Sequence, residues 1–322
     1  MRSVHLGIPE LEERNLSSEE FFRIISIMLD HELHYLEENH PDNNIDDIEA
    51  YRLKFARRIL KSAITLHSVI ERDKDYVVAN AIVRSLADSI SIFILIYEEE
   101  NNEIVYLRHY LYIIDGLYER LKLLQNSTID NIKSRKDDYF DLKNQIESTQ
   151  KNFEEAYSFC TSKIKDLTIY KGYAYAIDSL IERSNWKFKT YSSGNNKKNI
   201  MSWHELYSKL DFNNAPNMPA FFSSLSEFVH GLSPSNFIYD NEDITFEPIY
   251  GIATSLVGKL HEVINKLYAQ EFDSVRSKMI SALYDECMPA HYVKQIIDDF
   301  LKVHSNEDEK HQKHTICTNS DT

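Results

Sequence analysis

The stretch AIVRSLADSISIFILIYEE, residues 81–99, decides the fold class. Its second half, ISIFILIY at 90–97, is β-branched and apolar enough to be a buried strand. It nevertheless continues the helical spacing of the residues before it with no intervening turn residue, and its combined length exceeds that of a typical strand. A helix over about 75–99, buried on most sides, is the expectation. Composition points the same way, because seven Gly and seven Pro in 322 residues, about 2% each against usual values of about 7% and 5%, leave little material for tight turns and sheet edges.

Working outward, capping and periodicity place further helices. SSEEFFRIISIMLDHELHYLEEN starts with the capping-box pattern Ser17-x-x-Glu20, stops before Pro41, and gathers Phe21, Ile24, Ile25, Met28 and Leu29 on one face. A helix over about 45–72 carries Ile48, Tyr51, Phe55, Ile59, Ala63, Leu66 and Ile70 at three- and four-residue steps. Others are expected over about 102–125, 171–183, 201–211, 219–230, 251–270, 272–286 and 289–303, with 231–250 irregular. The longest covers 127–167. Its Tyr139, Leu142, Ile146, Thr149, Phe153, Tyr157, Cys160, Ile164 and Leu167 approximate a heptad seam, suited either to packing within a bundle or to self-association with a protein partner. About 40 helical residues extend roughly 60 Å. The expectation is an all-α bundle of about ten helices: one helical domain over 1–303, its best internal boundary near 184–200, and a disordered polar tail over 304–322.

Charge and cysteine usage narrow the function classes. A net charge of −15 opposes general affinity for phosphate backbones, so any RNA contact must be local. The segment NWKFKTYSSGNNKKN, residues 185–199, has four lysines and no acid. Its Trp186, Lys187, Lys189, Tyr191, Lys197 and Lys198 could stack bases and neutralise phosphates, or simply form a solvated loop. Cys160, Cys287 and Cys317 are odd in number and far apart, which suits a reducing cytoplasm and neither a disulfide framework nor a thiolate zinc site. The N-terminal residues lack a hydrophobic signal segment and ISIFILIY alone is too short to span a bilayer, so no membrane role is expected.

The absence of a glycine-rich phosphate loop, a G-x-S-x-G elbow and a C-x-x-C pair removes support for nucleotide-dependent phosphoryl transfer, hydrolase-fold chemistry and thioredoxin-like redox chemistry. Glu227-x-x-His230 and Glu37-x-x-His40 match the Glu-x-x-His element of di-iron bundles, but such pairs arise by chance among thirteen histidines in a Glu-rich chain. His31 and His34 lack the zincin spacing. No cofactor and no metal ligand set is assigned from these motifs.

Two polar pairs remain. Arg84 and Asp88 lie one turn apart in the most apolar helix, where a charge needs a partner. Ser226 and His230 lie one turn apart in FFSSLSEFVHG, with His230 at a helix end that favours an imidazolium. If the helices face each other, the four form one cluster, either catalytic or a structural hydrogen-bonded network.

RSLAD (84–88) and SEFVH (226–230) resemble the paired motifs of an uncharacterised family of bacterial helical proteins distantly similar to HEPN domains. The resemblance implies a helical bundle over about 50–270, with links to bacterial defence or mobile-element systems and to RNA cleavage. HEPN ribonucleases carry Arg-x(4–6)-His on one helix, and no arginine here has a histidine at that spacing. A metal-independent ribonuclease would need a composite site, with His230 as general acid/base and Arg84 stabilising phosphorane charge. The other expectation is a helical interaction or regulatory protein.

Overall fold

The computed structural model describes residues 17–42, 44–126, 136–190, 199–210, 217–230 and 245–285, with the backbone alone for 126, 136–142, 280 and 283–285. The protein is all-α, with eleven helices among the described residues and no strand longer than one isolated bridge, Phe188 to Ile200. The predicted stretches at 231–244 and 289–303 and the tail at 304–322 lie outside the described residues.

The chain divides into two compact units, residues 1–41 with 243–322, and residues 42–242. The boundary expected near 184–200 falls inside the second.

The first unit contains α1 (Ser18–Asn39), α10 (Glu247–Leu267) and α11 (Phe272–Asp285). The Ser17 capping box forms as read from the sequence: Ser17 Oγ accepts from Glu20 N–H at 3.2 Å, and Ser17 N–H donates to Glu20 Oε2 at 2.9 Å. The buried stripe of α1 runs through Phe22, Leu29, Leu33 and Leu36, and Phe21 is exposed. Of the expected face, Ile24, Met28 and Leu29 are buried, and Phe22 takes the place of Phe21, because the 7-4-3 spacing from Phe22 keeps one side of the helix on α10. Phe22 meets Tyr250 with ring centroids 5.6 Å apart. Gly258 permits the close approach of α10, because a Cβ there would stand 3.3 Å from Ile25 Cδ1.

The second unit begins with α2 (Ile48–Asp73) and α3 (Tyr76–Tyr97), capped by Asp47 and Asp75, whose side chains accept from Ala50 and Val78 N–H. ISIFILIY is therefore helical. Ile90, Phe93, Ile94, Leu95 and Ile96 are all buried, which is why β-branched residues are tolerated there: packing on several sides outweighs their small helix penalty. With 22 residues and a mean hydropathy of 1.6 over its most apolar window, α3 also has the length and composition of a membrane span.

α4 (Asn102–Asn126) and α5 (Lys136–Asp166) pack as a hairpin, and α6 (Thr168–Glu182) closes on α4. The C-terminal half of the α5 seam enters this unit's core: Cys160 and Ile164 are buried, with Phe153, Tyr157 and Leu167 packed against them. Burial pushes the Cys160 thiol up to about 12. The short helices α7 (Trp203–Ser208), α8 (Met218–Ser224) and α9 (Ser226–Val229) complete the unit. The single helix expected over 219–230 is thus broken at Leu225.

Candidate functional site

The most concentrated polar and aromatic chemistry in the second unit lies where α3 meets α7 and α8. Arg84 and Asp88 share a face of α3, as their spacing requires, and Arg84 Nε donates to Asp88 Oδ2 at 3.1 Å. The guanidinium also donates through its NH1 nitrogen to the carbonyl of Phe222 at the middle of α8. Asp88 Oδ1 accepts from the Tyr207 hydroxyl. Each end of the pair is thereby tied to a different short helix, Arg84 to α8 and Asp88 to α7.

Aromatic rings complete the enclosure. The guanidinium carbon of Arg84 lies 5.0 Å from the Tyr207 ring centre and 6.0 Å from that of Trp203, within cation–π range. Tyr207 stacks on Trp203 at 5.8 Å and leans on Phe222 at 5.6 Å. The result is an ion pair with a side-chain exposure of 14% at Arg84 and 28% at Asp88. Burial first, and then the hydrogen bond to Asp88, raises the Tyr207 phenol well above its ordinary range. Tyr207 is therefore a committed hydrogen-bond donor at neutral pH.

α7 is held by its own ends. Ser202 and Glu205 form a capping box, with Ser202 N–H donating to Glu205 Oε2 at 2.7 Å and Ser202 Oγ accepting from Glu205 N–H at 3.3 Å. Glu205 also pairs with Lys189 Nζ at 2.6 Å. The Lys189 contact, reinforced by the Ser202 N–H and hydroxyl, holds the Glu205 carboxyl down to about 2.

The residues singled out in the sequence separate into three groups. Arg84 and Asp88 come together as expected, but Tyr207 and the Phe222 carbonyl stand where Ser226 and His230 were expected. Ser226, half-buried at the start of α9, and His230, exposed at its end, make no hydrogen bond with Arg84 or Asp88 among the described residues. α9 does pack on α3, but through Phe228, whose ring lies 6.1 Å from that of Tyr76, two turns before Arg84.

The aromatic-lysine segment also divides. Trp186 and Phe188 are buried core residues, Trp186 edge-on to Tyr112 and Trp203, and Phe188 edge-on to Tyr173. Backbone bonds from Lys189 N–H to Asn199 O and from Met201 N–H to Lys187 O turn the segment into a closed loop base. Lys189 is neutralised by Glu205, while Lys187 Nζ rests 5.2 Å from the Trp203 ring centre. Tyr191, Lys197 and Lys198 lie outside the described residues.

Trp203 and Tyr207 were missed in the sequence. Their i,i+4 spacing on a capped helix was a readable signal, but a six-residue helix gives no amphipathic period to single them out. Of the Glu-x-x-His pairs, Glu37-x-x-His40 is diverted: His40 Nε2 lies 2.7 Å from Glu271 Oε1, and Asn39 donates to the other oxygen, so Glu271 clamps the end of α1. His34 lies 3.5 Å from Glu38 on the surface.

No family model, curated protein or solved structure matches the chain.

Proposed function

We propose that this protein is a helical interaction or regulatory protein that works by binding a protein partner or a second copy of itself, and not by catalysis at the Arg84 cluster. The observation that carries this reading is the saturation of Arg84 and Asp88 by groups of the same chain, with His230 exposed on α9 and making no hydrogen bond to either. A composite ribonuclease site needs a general acid/base and a phosphate-stabilising cation around one reacting atom. Here the cation is turned onto a carbonyl, a carboxylate and two rings.

The surface supports an interaction role. Tyr118 and Leu123 on α4 and Phe159 on α5 are exposed large side chains. A recess of about 450 Å³ between these helices is lined by Tyr118, Leu121, Lys122, Gln125, Glu154 and Tyr157. Aromatic and aliphatic side chains beside Lys122 and Glu154 are a mixture that partner helices and peptides use. A place in a bacterial defence or mobile-element system rests on the resemblance of RSLAD and SEFVH alone, and a cytoplasmic location on the cysteine usage.

The test is to incubate the full chain at stoichiometric concentration with labelled tRNA, beside His230→Ala. Intact RNA in both samples is expected. Cleavage that His230→Ala abolishes would overturn the reading in favour of the ribonuclease.

A further inference from the structure

Buried polar side chains require partners, and a buried carboxylate requires a positive one. In the first unit, Glu32 of α1 sits among Leu29, Leu33 and Leu36 with 3% exposure, opposite His261 and Asn265 of α10, at 6% and 5%. His261 and Asn265 are one turn apart and share a face, so three polar side chains from two helices converge inside an apolar layer.

One hydrogen bond and one ion pair link them, and two buried oxygens are left over. Glu32 Oε2 lies 2.9 Å from His261 Nε2, yet off the direction a hydrogen bond needs, and this oxygen has no hydrogen-bond partner. The Asn265 amide nitrogen lies 3.4 Å from the same Nε2, and Asn265 Oδ1 has no partner either. A protonated Nε2 could serve Glu32 but would then face the N–H bonds of the amide. An unprotonated Nε2 could accept from the amide but would turn its lone pair toward a carboxylate. With the amide in this orientation, neither form of the ring satisfies both neighbours. Rotating the amide by half a turn, which exchanges two atoms of nearly equal size, brings Oδ1 toward Nε2, so that Glu32 Oε2 and Asn265 Oδ1 both stand beside that nitrogen.

We propose that Glu32, His261 and Asn265 bind one divalent transition-metal ion of the zinc type, linking α1 to α10. Metal–ligand bonds of about 2.0–2.2 Å set ligand atoms about 3.0–3.5 Å apart, which the 2.9 and 3.4 Å separations approach without large movement. One imidazole with two oxygens favours zinc, manganese, iron or cobalt over calcium and magnesium, which prefer all-oxygen sites. Three protein ligands leave a fourth position for water. The sequence hides this site because Glu32 and His261 are 229 positions apart and Asn265 belongs to no metal motif.

The test uses the full chain, stripped with a chelator, exchanged into metal-free buffer and titrated with Co²⁺ and separately with Zn²⁺. One equivalent of Co²⁺ giving the visible absorption of a low-coordinate nitrogen–oxygen site is expected, as is a Zn²⁺-dependent rise in Tm. Glu32→Gln and His261→Gln should weaken binding by more than about tenfold, beyond the loss from a mere supporting contact. Asn265→Asp, which keeps an oxygen and adds charge, should bind at least as tightly, while His31→Ala and His34→Ala should change nothing. Absence of stoichiometric Co²⁺ absorption in the unsubstituted chain would overturn the proposal and leave a hydrogen-bonded triad only, whether or not the variants fold. Binding abolished by His34→Ala and retained in His261→Gln would also overturn it.

Discussion

At the scale of single residues, the Arg84–Asp88 ion pair is held at both ends, by the Phe222 carbonyl and by the Tyr207 hydroxyl. Arg84 and Asp88 were legible as an ion pair because helical geometry alone brings them together. Their outside partners were not, since Tyr207 lies 119 residues from Asp88 and no local pattern links them. His109 was likewise invisible from its neighbours. It is fully buried, with Nε2 at 2.8 Å from the Ile45 carbonyl and Nδ1 at 3.2 Å from the Tyr97 hydroxyl. A carbonyl only accepts, so Nε2 carries the hydrogen and Nδ1 accepts from Tyr97. Burial pushes the ring down to about 4, against 6.5 when unfolded. The unfolded chain takes up this proton more readily than the folded one. The stabilisation is therefore complete above 6.5 and is lost as pH falls from 6.5 toward 4, at most about 3 kcal/mol. Denaturant unfolding at several pH values should show a steeper loss of stability in this window for the unsubstituted chain than for His109→Gln.

At the scale of elements, caps and periods located the long helices well, because Ser17, Asp47 and Asp75 each satisfy a first-turn N–H as their residue types suggest. The short elements were harder. Six or seven residues contain fewer than two turns, so the Leu225 break could not be seen in the period of 219–230. Which neighbour a helix faces is also decided by packing. Phe22 is buried and Phe21 exposed, so Phe22→Ala should cost about 3–5 kcal/mol in denaturant unfolding, and Phe21→Ala far less. The α5 seam gives a parallel test. Ile164 is fully buried in the core of its unit, and Ile164→Ala should cost about 2–5 kcal/mol. Lys143 and Glu147 form only an exposed i,i+4 pair, and replacing either with Ala should change stability by less than about 1 kcal/mol.

At the scale of the whole molecule, scarcity of Gly and Pro and continuous helical spacing through ISIFILIY were enough to establish an all-α bundle. The division into two units was not legible, because the first unit joins segments from both ends of the chain and leaves no composition shift at 41–42 or 242–243. The second unit is continuous and has its own buried core from α2 to α8. Expressed alone, residues 42–242 should give a helical circular-dichroism spectrum and a cooperative thermal transition; a non-cooperative melt would show that this core is insufficient. RSLAD and its aromatic surround hold α7 and α8 onto α3, while His230 makes no hydrogen bond to either charge. Denaturant unfolding of the full chain with Asp88→Ala and with His230→Ala tests it most directly. Loss of Asp88 leaves Arg84 and Tyr207 without their shared acceptor, so that variant should be destabilised by about 2–4 kcal/mol, and His230→Ala by less than about 0.5 kcal/mol. A neutral Asp88→Ala beside a strongly destabilised His230→Ala would contradict the account.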